Sequence, residues 1–128
     1  MSQAGLISTT PGKGVVTGIA TTVGAVSADA ITFPLGSVPG NYTFDVMVTG
    51  FDGVTPAGAS YTIVAGVRTT GAAAVLIPNQ VTDEMEEAVT IPADAQVTVA
   101  GNTMIVQVTG VAGLTINWAA LADYIFRG

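Results

Sequence analysis

The chain has 128 residues, of which 49% are apolar and only 9% are charged, and its formal net charge at pH 7 is −6. This length suffices for one domain with a real core, and the apolar content excludes disorder over most of the sequence. The chain contains no cysteine and no histidine. Their absence excludes disulfides, thiol nucleophiles, zinc sites built on these residues and acid–base catalysis by histidine.

The positive charges are too few and too dispersed along the sequence to form a phosphate-binding cluster. Only Lys13, Arg68 and Arg127 are cationic, so neither a nucleic acid nor an anionic membrane surface is expected as a partner. No window of 18 or more uninterrupted apolar residues predicts a membrane span. The N-terminus also lacks the basic start and apolar stretch of a secretory signal, so we expect synthesis in the cytoplasm.

The first residues differ in character from the rest of the chain. Residues 1–13 are small, polar and interrupted by Gly and Pro, with neither helical nor strand periodicity. They predict an extended N-terminal arm, hinged at Pro11-Gly12-Lys13-Gly14 and followed by a β-domain over residues 14–128. Such a segment cannot bury enough apolar area to order alone, so we expect it to order against a partner.

From Gly14 onward, short runs of Val, Ile, Thr and aromatic residues alternate with turn signals, which is typical of β-strands. Eight strands at this spacing predict an all-β fold, an antiparallel β-sandwich resembling a jelly roll. The predicted strands are Val15–Thr22, Ala30–Leu35, Tyr42–Phe51, Ser60–Thr70, Ala73–Ile77, Gln96–Ala100, Met104–Thr109 and Leu114–Phe126.

The turns between the last strands predict their pairing. Gly101-Asn102 is a two-residue hairpin signal, and residues 110–113 form a short glycine loop. Together they predict a three-stranded antiparallel meander over residues 96–126. The longest connection, Asn79–Ala95, is predicted as a loop in which Asp83–Ala88 forms at most one helical turn.

Several predicted strands are apolar on both faces. Met47, Val64, Ile105 and Leu121 fall on faces that point outward in a simple sandwich. Twelve charges on the roughly 6,000 Å² expected for a domain of this size is about one per 500 Å², and charge depletion is typical of interface cores. We therefore expect other protomers to cover these faces in a closed oligomer, such as a trimer.

The acidic residues present the candidate metal-binding and acid–base groups. The run Asp83-Glu84-Met85-Glu86-Glu87 offers hard oxygen ligands for a divalent cation, yet it lacks the spacing and glycine of a calcium loop. A solvated acidic loop is the favoured interpretation. Asp45, Asp52 and Asp123 are possible paired carboxylates, but no other catalytic group accompanies them. We predict no catalytic, cofactor-binding or metal-binding residue, no cofactor and no enzymatic activity.

Three other residues or motifs admit two interpretations each. Gly12-Lys13-Gly14 superficially matches a phosphate loop but lacks its upstream glycine and following Ser or Thr, which favours the hinge. Trp118 suits either the core or a carbohydrate-stacking platform, and its place on an alternating strand favours the core. Arg68 ends a predicted strand, where it is placed to pair with an acidic residue of a neighbouring copy.

The C-terminal third resembles a domain that recurs in tailed-phage and prophage structural proteins. The matching segments are Val97-Thr98-Val99, Gly101-Asn102-Thr103, Ile105-Val106-Gln107-Val108-Thr109-Gly110 and Thr115-Ile116-Asn117-Trp118, with Tyr42–Thr49 and Ala59–Arg68 upstream. As a small chain with an arm, it is most similar to capsid decoration (cement) proteins. The resemblance implies a virion protein that binds the major capsid protein or other virion proteins, as a trimer. The alternative is a receptor- or glycan-binding module of a tail or head fibre.

Overall fold

The computed structural model describes residues 12–88 and 92–128 and confirms the β-sandwich. All eight predicted strands form, and the described residues contain a ninth strand. The strands are β1 Gly12–Val23, β2 Ser27–Pro34, β3 Gly40–Asp52, β4 Ala57–Thr69, β5 Ala74–Leu76, β6 Val81–Glu86, β7 Asp94–Ala100, β8 Thr103–Thr109 and β9 Thr115–Arg127.

Two antiparallel sheets pack face to face. The larger has six strands in the order β1-β9-β3-β4-β5, and β6 pairs with the same edge of β4 as β5 does. The smaller has three strands in the order β2-β8-β7. No helix in the described part of the chain is long and apolar enough to cross a membrane.

The core forms because one side chain in two is apolar along the strands of both sheets. Alternate residues of β3 and β4 face inward and are buried, and β8 and β9 show the same period. Aromatic rings fill one end, where Phe33 of β2 meets Tyr42 and Tyr124 of the other sheet at centroid distances of 6.4 and 5.2 Å. The alternation read from the sequence is therefore confirmed.

The predicted C-terminal meander is wrong. β7 and β8 form the expected hairpin, with Gly101 at φ +58° in its turn. β9, however, belongs to the six-stranded sheet, where it pairs with β1 and β3. Gly110 permits this crossing, since a Cβ there would lie 2.4 Å from both the Gly24 carbonyl and the Thr22 hydroxyl. Alternation specifies which face of a strand is buried, but the same pattern suits either sheet.

The acidic segment is also not the loop or helical turn that the sequence predicts. Val81–Glu86 is strand β6, paired with Ala59–Val64 of β4. The hydroxyl of Tyr61 donates a hydrogen bond to Glu86 Oε2 at 2.5 Å. Glu87 then accepts one from the Gly58 amide at 2.6 Å. The carboxylates of Glu86 and Glu87 thus hold this segment against β4. The acidic composition of the segment does not by itself predict these hydrogen bonds.

The start of the domain lies earlier than predicted. Gly12 and Lys13 belong to β1 and pair with Phe126 and Ile125 of β9, so the predicted hinge and the phosphate-loop alternative are both wrong for these residues. Glycine at position 14 is explained by packing, since a Cβ there would lie 2.6 Å from the Tyr124 hydroxyl. Residues 1–11 of the predicted arm lie outside the described residues, and the arm stays a prediction.

The ionisation of Tyr61 tests this packing. Burial, together with the bond to the Glu86 carboxylate, raises the pKa of Tyr61 above its ordinary value of 10.0. A raised pKa means that the folded state favours the neutral phenol. This contribution to stability is therefore complete below about pH 10 and is lost as the pH rises further. We expect ultraviolet titrations of the native chain and of Tyr61→Phe to have the same amplitude up to about pH 11. A smaller amplitude in the variant at that pH would contradict the buried phenol.

Candidate functional site: the outer face of the six-stranded sheet

The strongest candidate for a functional surface is the solvent-facing side of the six-stranded sheet, here called the outer face. It is formed by odd-numbered residues of β1, β3, β6 and β9 and by even-numbered residues of β4, because successive side chains of a strand point to opposite sides. No other layer of the described chain covers this side, since the three-stranded sheet packs on the inner side.

The outer face is unusually apolar for an exposed surface. Ile19 is 81% exposed and Met47 is 61% exposed, although side chains of this kind are normally buried. Leu121 lies between them, half-buried. The exposed large apolar residues of these five strands on this face are Val15, Ile19, Val23, Met47, Phe51, Val64, Val81, Met85 and Ile125.

The strand register places these side chains next to one another. In one row Thr17, Leu121 and Met47 are successive neighbours on β1, β9 and β3. The next row runs from Ile19 through Ala119, Thr49 and Ser60 to Met85 on β6. Side chains in such cross-strand rows are in contact distance, so Ile19, Leu121 and Met47 form an apolar patch across β1, β9 and β3. Thr49 and Ser60 lie between this patch and Met85. Patches of this kind mark interaction sites.

Two shallow depressions lie on the outer face. The first, of about 710 Å³, is at the centre and is lined by Ile19, Met47, Met85 and Leu121 among others. The second, of about 590 Å³, adjoins it and is lined by Val15, Ile125 and three charged residues, Lys13, Asp45 and Asp123. Apolar side chains combined with a few charged ones are typical of a protein–protein interface.

All three cations of the chain gather at one end of this sheet. Asn41 of β3 is the register partner of both Arg68 on β4 and Arg127 on β9, so the two arginines flank it. A cleft of about 600 Å³ is lined by these three residues. Lys13 lies nearby on β1, as the partner of Ile125. These cations are far apart in the sequence, and the fold brings them close together. The pairing of Arg68 with an acidic residue of a neighbouring copy stays a prediction.

The structure brings two of the three candidate carboxylates together and places the third apart. Asp45 and Asp123 are direct register partners on the outer face, an arrangement of like charges that destabilises a strand pair. Asp52 is buried at the far end of β3, where its Oδ1 accepts a hydrogen bond from the Val54 amide at 2.9 Å. Within residues 12–88 and 92–128, no three acidic side chains come together as a metal site.

Trp118 belongs to the core, as the favoured interpretation predicts. Its side chain is 2% exposed, and its indole Nε1 donates a hydrogen bond to the buried Thr22 hydroxyl at 3.0 Å. A ring in this position cannot stack on a sugar at the surface. The carbohydrate platform that the sequence offered as an alternative for Trp118 is therefore wrong.

Sequence reasoning found only part of the outer face. It placed Met47, Val64 and Leu121 on outward faces, and the structure confirms these positions. Ile105 lies instead on β8 of the smaller sheet and is half-buried. Ile19 and Met85 were missed. Val81 and Met85 lie on one face of β6, but Asp83 stands between them, so the segment lacks the apolar alternation from which a strand is predicted.

Comparison with known proteins gives few matches. No protein-family model matches the chain, and no curated protein does. Among solved structures, the tailspike protein of Acinetobacter baumannii phage AM24 is similar with a TM-score of 0.45 and 9% identity over 88% of this chain. The tailspike protein gp49 of Acinetobacter baumannii bacteriophage Fri1, a capsular polysaccharide depolymerase, has a TM-score of 0.43 and 17% identity over 90% of this chain. The chain spans only 26% and 18% of their lengths, and neither likeness is close enough to assign it a function.

Proposed function

We propose that this chain is a structural protein of a phage particle, of the capsid decoration kind, and that its outer face binds neighbouring proteins of the particle. The observation that carries the proposal is the apolar patch across β1, β9 and β3, in which Ile19 and Met47 are 81% and 61% exposed. Burying it removes apolar area from water, at about 25 cal/mol per Å².

The shape and chemistry of the patch suit a broad protein partner. Both depressions are shallow and open, whereas small-molecule sites are enclosed clefts with a few converging polar groups. Met47 and Met85 at the centre are flexible side chains that adapt to an apposed surface. Lys13 on the edge strand and the Asp45–Asp123 pair, which lies between Val15 and Val64, add the polar contacts that set orientation.

The assignment to a phage particle is supported by the sequence resemblance of residues 97–118 to tailed-phage structural proteins. The receptor- or glycan-binding alternative depended on Trp118 as a surface residue, and Trp118 is buried.

Particle binding by a charged variant tests the proposal. Particles of the phage that encodes the chain are prepared without it, and purified protein is added back. Met47→Lys places a charge at the centre of the apolar patch, so we expect binding at least about tenfold weaker than native, a change of about 1.4 kcal/mol. The matched control is Thr32→Lys on β2, an exposed position on the smaller sheet, which should bind as the native chain does.

Both variants must keep the native unfolding midpoint, since exposed substitutions change stability by only about 0.5 kcal/mol. A chain that mass spectrometry does not find in wild-type particles would contradict the proposed function. Equal binding by native chain and Met47→Lys would show that another surface attaches it.

A further inference from the structure

Strand β1 is a long edge strand. It has 12 residues and lies at the end of the six-stranded sheet, where it pairs with β9 alone. An edge strand presents a row of backbone N–H and C=O groups that can pair with another strand, and natural proteins usually protect such edges.

The edges of the smaller sheet are protected. β2 carries Asp29 and Pro34 and is interrupted by a bulge between Asp29 and Ile31. On the opposite edge, the side chain of Gln80 substitutes for a neighbouring strand of β7. Its Nε2 donates to the Val97 carbonyl at 3.0 Å, and its Oε1 accepts from the Val97 amide at 3.1 Å.

The edge of the larger sheet opposite β1 is protected as well. β5 has only three residues, and β6 carries Asp83, Glu84 and Glu86 within six. A short strand offers few backbone groups for pairing with a further strand, and charged side chains repel one another when such strands pair.

β1 has none of these protections over most of its length. From Gly14 to Val23 it contains no charged residue and no proline. Its register with β9 continues without a bulge from Gly12–Phe126 to Val23–Thr115. Its single charge, Lys13, is at the N-terminal end. In the described part of the chain, β1 is thus the edge most suited to accept a strand.

We propose that β1 pairs antiparallel with β1 of a second copy, joining two six-stranded sheets into one continuous sheet. The inference goes beyond the proposed function, since it concerns how two copies associate whether or not they are on a particle. The pairing is two-fold symmetric, so one self-complementary edge serves both copies.

The sequence of β1 is compatible with such symmetry. A two-fold axis at Gly18, perpendicular to the sheet, keeps the outer faces of both copies on the same side. It places Val15 opposite Thr21 of the partner subunit and Thr17 opposite Ile19 of the partner subunit. Lys13 is then far from its symmetry mate. An overlap of this length provides about ten backbone hydrogen bonds and unites the two apolar patches.

The oligomeric state distinguishes this pairing from the trimer that the sequence resemblance implies. By sedimentation at micromolar concentration, we expect the native chain to have twice the protomer mass of 12.8 kDa. Thr17→Lys combined with Ile19→Lys places four lysines around the axis, where like charges oppose pairing, so dimerisation should weaken at least about tenfold. The control, Thr43→Lys with Thr49→Lys, puts two lysines on the exposed face of β3 and should leave the dimer intact.

Cysteine cross-linking tests the register and does not depend on the lysine variants. The chain has no cysteine, so introduced thiols can pair only with each other. In an equal mixture of Thr17→Cys and Ile19→Cys under oxidising conditions, we expect the disulfide-linked dimer to contain one chain of each kind. Thr43→Cys mixed with Thr49→Cys should give no such product.

A native monomer, a trimer, or a dimer that persists in Thr17→Lys/Ile19→Lys and forms no mixed disulfide would each overturn the proposal. A second outcome also overturns the proposal: the full chain gives no mixed disulfide, and deleting residues 2–10 abolishes the association. In that case the N-terminal segment is the strand that pairs with the second copy. Because Ile19 belongs to both surfaces, the native chain separates the two proposals. A native chain that binds particles but sediments as a monomer overturns the dimer and leaves the proposed function standing. A native chain that dimerises but does not bind particles supports the dimer and contradicts the proposed function.

Discussion

Replacing Trp118 by alanine is expected to lower the free energy of unfolding by about 3–5 kcal/mol, the usual cost of truncating a buried aromatic residue to alanine. The indole is 2% exposed and lies with its centroid 6.2 Å from that of Tyr61. Its removal also leaves the Thr22 hydroxyl, itself fully buried, without the N–H that it accepts at 3.0 Å. Loss of the ring and loss of the hydrogen bond both lower the free energy of unfolding.

Urea unfolding followed by circular dichroism measures this effect. Trp118→Phe is the matched control, since it keeps a large ring and loses only the N–H donor. We expect it to cost about 1–3 kcal/mol, the range for leaving a buried polar group unsatisfied. An unchanged midpoint for Trp118→Ala would mean that the ring does not support the core.

Gly18→Ala is expected to destabilise the fold by about 3 kcal/mol, the upper part of the usual range for overpacking a well-packed site. A Cβ at this position would lie 1.8 Å from the carbonyl oxygen of Ala30. That oxygen belongs to the backbone of β2, so it cannot rotate away as a side chain would. The backbone of β2 therefore has to shift at Ala30, which lies in the bulge between Asp29 and Ile31.

Gly12→Ala is the control for this prediction, because it makes the same change in the same strand. A Cβ at Gly12 would meet only Phe126 Cβ, at 3.9 Å, an ordinary contact. We expect Gly12→Ala to be neutral or to stabilise by up to about 1 kcal/mol through the unfolded chain. Thermal unfolding of both variants measures the difference, and equal midpoints would refute the steric argument.

Local patterns in the sequence were sufficient to predict the strands and the buried faces. Tyr42, Phe44 and Val46 alternate with polar residues, and the side on which they lie is the core side. The Gly101-Asn102 turn likewise predicts its hairpin, because a two-residue turn allows little choice of partner. These predictions depend on neighbours within a few residues of one another.

Features that depend on distant residues were not predictable in this way. β9 was assigned to the wrong sheet because its alternation is compatible with either, and the choice depends on its fit between β1 and β3. β6 was missed because its acidic residues suggest solvent, whereas Tyr61 supplies a partner for Glu86 from another strand. The outer face followed the same rule. Met47 was predicted from the alternation of its own strand, whereas Ile19 and Met85 line the same depression as Met47 only because of the strand register.

The position of β9 has a consequence for the order of folding. The last strand of the chain is not at an edge but lies between β1 and β3, so Gly12 pairs with Phe126 and Asn41 with Arg127. The ribosome must therefore have synthesised β9 before β1 has any partner in its own sheet. Until then β3 has an open edge and the core has an open side. Long-range pairing of this kind slows folding, and the incomplete chain is most prone to aggregate during synthesis.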